Sequence, residues 1–478
     1  MIELSRRSGI VIPREYENTE WYRKIRSHLF RRQKNYNSPD FTIMKYFLES
    51  PKFLTVPRFF PIHKYINEPI KIIDNTHVGE DINIEHNITP RNDAQRGGMN
   101  YMYLNNNGMI KLGPGMGKTV ISIHMIAERK KKTLIVVHRD SLDKQWRTRL
   151  LEHSSMEEKD IAILNSKKFE EQLMLSPIII STCQTMGSIL RRYPMEYFIA
   201  LNKANIGVSI FDELHTTVGA PTFSLCSIHA PSRVTFGLSA TPYRNDNNTD
   251  ILKYHLGEMF ESDSDEDTMP AEVTFILVDF DIDNEYREKY LHWEGQFQRS
   301  RYLNIMKNSK IFMDLVKALL LKLTKEDRHL LFIAERVGKL IDPLFKWLPY
   351  DDKSKFIAGS DLVELEKKVS FSTPGKIRDG IDVPWKDSLI VTSPVKNIEQ
   401  LSGRITRIYP EAIDPPKPTP LVFDMVDIGS EDIRKTFWGR LEYYKKKDWK
   451  IKFLYINPKT YEKFNIREVD AFTVIRGE

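Results

Sequence analysis

The hydrophobic pattern changes character along the chain. From about residue 86, short β-branched apolar runs alternate with stretches of helical spacing. "TLIVVH" (133–138), "PIIIST" (177–182), "GVSIFD" (207–212) and "VTFGLSA" (234–240) read as buried parallel strands. "SLDKQWRTRLLEH" (141–153) reads as a helix between two of them. After an acidic stretch, "ESDSDEDTMP" (261–270), the alternation restarts with "HLLFIA" (329–334), "KKVSFST" (367–373), "DSLIVTS" (387–393) and "PLVFDMV" (420–426). This predicts an α/β protein with two tandem parallel-sheet domains, at 86–268 and 269–478, behind a smaller domain at 1–85. The acidic stretch reads as a solvated linker.

The first 85 residues have a different texture, expected to be a small α+β domain. "YRKIRSHLFRRQK" (22–34) carries six Lys/Arg and no acid, and spaces Ile25, Leu29 and Phe30 as one helical face. Two readings stand, a surface for duplex or branched nucleic acid and a solvated helix face. "ESPKFLTVPRFFPIHKY" (49–65) reads as short strand and turn broken by prolines. Near the other end, "FWGRLEYYKKKDWK" (437–450) interleaves aromatics with lysines and could stack bases. Phe437, Leu441 and Tyr444 fall at i, i+4 and i+7, which favours packing on the second domain. Trp146 and the two cysteines, Cys183 and Cys226, read as core.

Composition narrows the class. At 478 residues the chain is too long for one core. Two cysteines cannot build a disulfide framework or a Cys-rich zinc site, and the chain suits a reducing, intracellular compartment. The N-terminus lacks the apolar core of a signal peptide, and no apolar run is long enough to span a bilayer. The net charge of +6 permits an anionic partner without demanding one.

Chemistry concentrates in three places. The first is "KLGPGMGKTV" (111–120). A phosphate-binding loop needs a strand, a tight glycine turn, and a helix whose first N–H groups face the phosphates. "GMIK" supplies the strand, and Gly113, Pro114, Gly115, Met116 and Gly117 supply the turn. Lys118 would reach the β- and γ-phosphates of ATP, and Thr119 would give a hydroxyl to Mg²⁺. Leu112 stands where the usual spacing has glycine, at a strand end that need not touch phosphate. "TVISIHMIAER" follows with helical spacing.

The second is "SIFDELH" (209–215), a strand ending in Asp212, Glu213, Leu214 and His215. A strand-terminal aspartate can hold Mg²⁺, and the adjacent glutamate can orient or deprotonate the attacking water. The third is "QLSGRITR" (400–407). On a helix, Gln400, Gly403, Arg404 and Arg407 share one face. Two arginines so placed look like fingers from the second domain, stabilising charge on the transferring γ-phosphate when the cleft closes.

As an ordered set these motifs resemble the superfamily-2 helicases and translocases with a DExH box, over about residues 86–430. Gln95 in "ITPRNDAQ" resembles the adenine-reading glutamine. "LIVVHRDSLDKQW" resembles motif Ia, with His138 where proline is usual, and "IISTCQTM" resembles the following strand-end motif through Ser181, Thr182 and Gln184. "GLSATPYRND" resembles motif III through Ser239, Ala240, Thr241, Pro242 and Arg244. "FIAGSD" is similar to the short motif between IV and V. "FSTPGKIRDGIDVP" resembles motif V through Thr373, Gly380 and Asp382, and "VFDMVD" the strand after motif VI.

The resemblance implies two RecA-like motor domains. It implies ATP and Mg²⁺ as cofactors, with Lys118, Asp212, Glu213, His215, Gln400, Arg404 and Arg407 as the catalytic set. Gln95, the loop from Gly113 to Thr119, Gly380 and Asp382 would hold nucleotide. Ser239 and Thr241 would couple hydrolysis to movement. Arg139, Thr182, Gln184 and Thr373 would touch the nucleic-acid backbone, with little sequence specificity. Compact length and a small basic N-terminal domain look most like phage branch-migration helicases of the UvsW and RecG kind. DNA is then the expected partner, single-stranded, duplex or branched, handled by a monomer in a host cytoplasm if the source is viral. Poxvirus-type transcript-release helicases are the nearest alternative, and RNA is an open substrate.

Overall fold

The computed structural model describes the chain except residues 35–40, 114, 139, 215–229, 241, 243–248, 263–267, 281, 284–285, 287–289, 294, 379–380, 382, 393–394, 396–397, 409–415 and 477–478. The core of the acidic stretch, 263–267, thus lies outside the described residues, as do Cys226 and Arg244. Two compact units divide the chain, Met1–Ser264 and Asp265–Glu478.

The two larger sheets of the first unit differ in character. Near the N-terminus, five strands run in the order Leu48–Glu49, Phe53–Pro57, Gly9–Pro13, Ile2–Arg6, Ile70–Asp74. Only the last pairing is parallel, so this sheet is mixed. The helix Glu20–His28 packs against it through Tyr22 and Ile25, with Thr19 accepting a capping bond from the Tyr22 amide. The basic run does not continue as helix. It breaks after His28, and Phe30–Lys34 forms a strand antiparallel to Phe41–Lys45. Leu29 is buried with Ile25 as expected, but Phe30 belongs to the strand, because pairing with 41–45 outweighs one further helical turn. Among the described residues, Lys24 is compensated by Glu20, Arg26 by Glu49 and Arg31 by Asp250.

Arg58 fastens the mixed sheet to its neighbour. Its guanidinium donates to Asn107 Oδ1 (3.1 Å), Thr235 Oγ1 (3.0 Å) and the carbonyls of Arg7 and Ala230 (3.2 Å each). Burial lowers its pKa to about 10, and burial lowers that of the adjoining His255 to about 3.

The second sheet of this unit has seven strands, all parallel, in the order Ile161–Ile163, Ile178–Thr182, Thr133–Val137, Val208–Asp212, Val234–Ser239, Asn107–Leu112, Met259–Ser262. The apolar runs read as strands in the sequence are its central members, buried on both faces by separate helix layers.

The unit Asp265–Glu478 is built around an eight-stranded sheet. Its order is Lys353–Phe356, Val369–Ser372, Leu330–Ile333, Ser388–Val391, Leu421–Asp427, Glu272–Val278, Lys450–Ile456, Lys463–Ile466. Every pairing is parallel except that of the last, edge strand. The long helix Glu431–Lys446 lays Phe437, Leu441 and Tyr444 into the core, so the aromatic–lysine segment packs as its spacing foretold. Beneath it, Arg440 Nε donates to Asp424 Oδ2 at 2.8 Å, with both side chains buried. The chain is therefore α/β, with two parallel-sheet domains and a small α+β region ahead of them.

Candidate nucleotide site

Cross-strand register explains how distant motifs become neighbours. Asp212 pairs with Leu238, and Leu238 with Ile110, two residues before the strand Asn107–Leu112 gives way to the glycine turn. Parallel strands about 4.8 Å apart thus present Asp212, Ser239 and the start of the loop at one sheet edge. Leu112 is the last residue of its strand, and its side chain is fully buried. The absent glycine costs nothing there, because the side chain belongs to the core.

The turn itself is shaped for an anion. Gly115 (φ +82°) and Gly117 (φ +77°) adopt the left-handed conformation. A Cβ on Gly117 would lie 2.4 Å from Gln95 Nε2, so a side chain there would displace the Gln95 amide. The helix Lys118–Arg129 starts at once, and no side chain caps its first turn. Its leading N–H groups and positive dipole end face the loop. Lys118 folds back over that loop and donates to the carbonyls of Leu112 (3.0 Å) and Gly113 (3.1 Å). Thr119 sits in the first turn of the helix.

Gln95 takes a position that the sequence did not define. It is buried, accepts from the Arg91 amide (3.0 Å) and donates to the Met116 carbonyl (3.0 Å). Its amide braces the glycine turn from behind.

Asp212 and Glu213 are both buried. Glu213 has φ +48°, a left-handed conformation unusual for a side-chain-bearing residue, which turns the chain sharply off the strand. Its amide donates to Asp212 Oδ1 at 2.9 Å. The other oxygen, Oδ2, accepts the indole N–H of Trp146 at 2.8 Å. Burial, then the adjacent Glu213 charge, push the Asp212 pKa up to about 6, while Trp146 and the Lys118 ammonium oppose the rise. A carboxylate pair so buried favours an added cation. Together with the uncapped helix and the Lys118 ammonium, the donor set fits Mg²⁺ and a nucleotide phosphate chain. Trp146 had read as core only. It is in the core, and it also touches the site. No periodicity could reveal that contact, since it depends on the reach of one indole nitrogen.

Among the other predicted residues, Ser239 ends its strand fully buried. Thr182 caps the helix Cys183–Arg192 by accepting from the Thr185 amide (3.1 Å). Gln184 donates to the His138 carbonyl (2.9 Å), tying two neighbouring strand ends together. In the second unit, Thr373 follows the strand Val369–Ser372. The helix Glu399–Ile405 is buried at Gln400, Gly403 and Arg404. It ends at Ile405, so Arg407 is not one helical turn further along. Arg407 lies beyond the helix, bridged to Thr268 and buried. A solvated basic helix is therefore not what this segment forms. Pro114, Arg139, His215, Thr241, Gly380 and Asp382 lie outside the described residues.

Three possible metal ligands also meet beside the phosphate-loop helix, His124 and Glu128 on it and His86 from the segment before it in the chain. His86 Nδ1 accepts from the Ile88 amide (3.1 Å), which fixes the proton on Nε2, and Nε2 lies 3.2 Å from Glu128 Oε1. With Nε2 protonated, the ring has no lone pair there for a metal, and the group is a hydrogen-bonded set. No helix among the described residues is long and apolar enough to cross a membrane.

Comparison with known proteins agrees with this geometry. Residues 76–244 match the family described as type III restriction enzyme, res subunit. The chain is 25% identical to an Acanthamoeba polyphaga mimivirus protein named as an ATP-dependent RNA helicase, L396, over 75% of this chain and 67% of that one. It is 27% identical to transcript termination protein A18 of Yaba-like disease virus, over 62% and 64%. It is 24% identical to an Escherichia phage T5 protein named as helicase D10, over 70% and 71%. It spans roughly two thirds of the length of these relatives. With the phosphate loop and the strand-end acidic pair at one edge of a parallel sheet, these matches support a helicase-type ATPase similar to the superfamily-2 helicases.

Proposed function

We propose that this chain is an ATP-driven motor that remodels branched DNA, such as forks and Holliday junctions, in replication, recombination or repair. The observation that carries the motor half is the buried Asp212–Glu213 pair level with the Lys118 loop. Lys118 binds the β- and γ-phosphates, and Thr119 and Asp212 hold the metal. Mg²⁺, when bound, supplies positive charge to the phosphate oxygens. Glu213, aimed by its left-handed backbone, orients and deprotonates the attacking water, with His215 beside it in sequence. Gln95 stiffens the loop and reads adenine, and Gly380 and Asp382 complete the nucleotide contacts. Gln400, Arg404 and Arg407 offset negative charge that develops on the transferring phosphoryl group. Ser239 and Thr241 relay the change to Arg139, Thr182, Gln184 and Thr373, which grip the nucleic-acid backbone.

In this reading, residues 86–268 hold nucleotide, 269–478 supply the arginines, and 1–85 engage the branch. Support for the last part is the basic antiparallel pair Phe30–Lys34 and Phe41–Lys45, carried on a region that Arg58 fixes to the motor sheet. A second reading, transcript release or RNA unwinding, is favoured by the names of the A18 and L396 relatives. ATPase rates with single-stranded, duplex, forked and four-way DNA, and with RNA, measured side by side, test the choice. Strongest stimulation by four-way or forked DNA, with branch migration in a gel assay, is expected. Stimulation by RNA alone would sink the DNA reading.

A further inference from the structure

We infer that Trp146 is a positioning residue for the magnesium-holding carboxylate. Its indole N–H fixes which way Asp212 presents its oxygens. The inference rests on the proposed role of Asp212, and it gives Trp146, the last residue of the stretch that resembles motif Ia, a role toward the nucleotide site.

The geometry is specific. Asp212 accepts from the Glu213 amide on Oδ1 and from the Trp146 indole on Oδ2. Both donors are themselves held. The amide belongs to a backbone locked in the left-handed region. The indole is buried at 1% exposure, on the helix Asp140–His153, in the core that also contains Leu142 and Leu150. A ring packed that tightly cannot turn away from the carboxylate. The two bonds therefore fix the plane of the carboxylate before any cation arrives. A carboxylate oxygen has more than one acceptor site, so an accepted hydrogen bond does not by itself close it to metal or metal-bound water. A carboxylate pre-set in this way loses no rotational freedom on binding, the advantage conferred by hydrogen-bonded partners behind metal-binding groups. A phenylalanine would fill most of the same volume but offer no donor. Only the hydrogen bond explains why an indole, rather than any large apolar ring, faces this carboxylate.

The test uses the full-length protein and measures ATP binding by calorimetry, across a magnesium series and in EDTA. Trp146→Phe, Asp212→Asn and the double variant are compared with wild type. Trp146→Phe is expected to raise the magnesium needed for half-maximal ATP affinity about tenfold, the scale of a lost hydrogen bond to a charged acceptor. Affinity in EDTA should stay unchanged. In the Asp212→Asn background, the tryptophan substitution should have no further effect. Equal weakening with and without magnesium, or a full effect persisting in the Asp212→Asn background, would mean that Trp146 only packs, and would overturn the inference. If Asp212→Asn itself leaves the magnesium requirement untouched, it is the role of Asp212 that fails. A second measurement leaves the indole in place, so it survives poor folding of Trp146→Phe. In ¹⁵N-labelled protein, Asp212→Asn should move one of the seven tryptophan indole N–H resonances well beyond the others. No displaced indole resonance would also overturn the inference.

Discussion

The two units carry their proposed catalytic groups in opposite ways. In the first, the groups sit where a parallel sheet ends, on backbone bent into left-handed turns at Gly115, Gly117 and Glu213. In the second, Gln400 and Arg404 lie on a short helix buried along most of its length, and Arg407 is buried just past its end. The first arrangement holds its groups by turns, the second by packing. Removing a side chain from the first should cost chemistry and little stability. Removing one from the second should cost both.

Lys118→Ala is the sharpest case on the first side. Hydrolysis should fall below detection, while the thermal midpoint stays within about a degree or two, since the part-buried ammonium sits over a loop, where it donates to the carbonyls of Leu112 and Gly113. Wild-type turnover in a folded Lys118→Ala protein would remove the phosphate-loop assignment. Arg404→Ala is its counterpart. Hydrolysis should drop by ~10³ or more, the scale of a missing arginine finger, and ATP binding should largely survive. Unlike Lys118→Ala, it should also lower the thermal midpoint, because the side chain is buried. Arg404→Lys should restore charge without the planar fork and rescue poorly. An unchanged midpoint together with full activity would break the comparison at its centre.

Glu213 tests whether turn geometry is held at the expense of stability. Glu213→Gln should bind ATP normally and turn over ~10²–10⁴ more slowly, the range for a lost general base. Glu213→Gly should be equally slow yet more stable by about 1 kcal/mol, because glycine accepts φ +48° without strain. A chemical-denaturation series on both variants checks this. Equal stability of the two would mean that the turn is unstrained.

The smallest effect concerns burial in the second unit. Four acceptors surround the Lys386 nitrogen within hydrogen-bond distance, the carbonyls of Lys367, Lys368 and Leu330 and Ser370 Oγ. Burial pulls its pKa down to about 7, with Asp352 and Asp387 acting the other way. Unfolded, the group keeps its proton up to its ordinary value of 10.5. Between those values the unfolded chain holds the extra proton, so stability rises with pH across that window. The midpoint of wild type relative to Lys386→Met should therefore increase from pH 7 to 9. A difference that does not change with pH would mean that the amine stays charged when folded.

Much of this was legible because buried parallel strands are written as unbroken apolar runs. "TLIVV", "IIIST" and "VSIFD" became central strands with their ends where the motifs placed them. The helix Glu431–Lys446 followed its spacing as well. Errors arose where tertiary pairing decided the outcome. Phe30 left the helical face of Ile25 and Leu29 for a strand whose partner is 41–45. Arg407 continued a helical count past a helix that stops at Ile405. The contacts of Trp146 with Asp212 and of Gln95 with Met116 join residues 66 and 21 positions apart, and no local pattern specifies them.

Arg58 gives the N-terminal sheet a mechanical meaning. The family match begins at residue 76, after that sheet. Yet the guanidinium of Arg58 grips Asn107, the first residue of the phosphate-loop strand, and Thr235, near the foot of the strand that ends in Ser239. A fragment cut at residue 76 would leave those polar groups facing an empty socket. In the intact chain, the N-terminal sheet is tied to the roots of the strands whose far ends carry the proposed nucleotide groups. The N-terminal sheet is built into the same framework as its neighbour, and it cannot be exchanged as a freely swappable module.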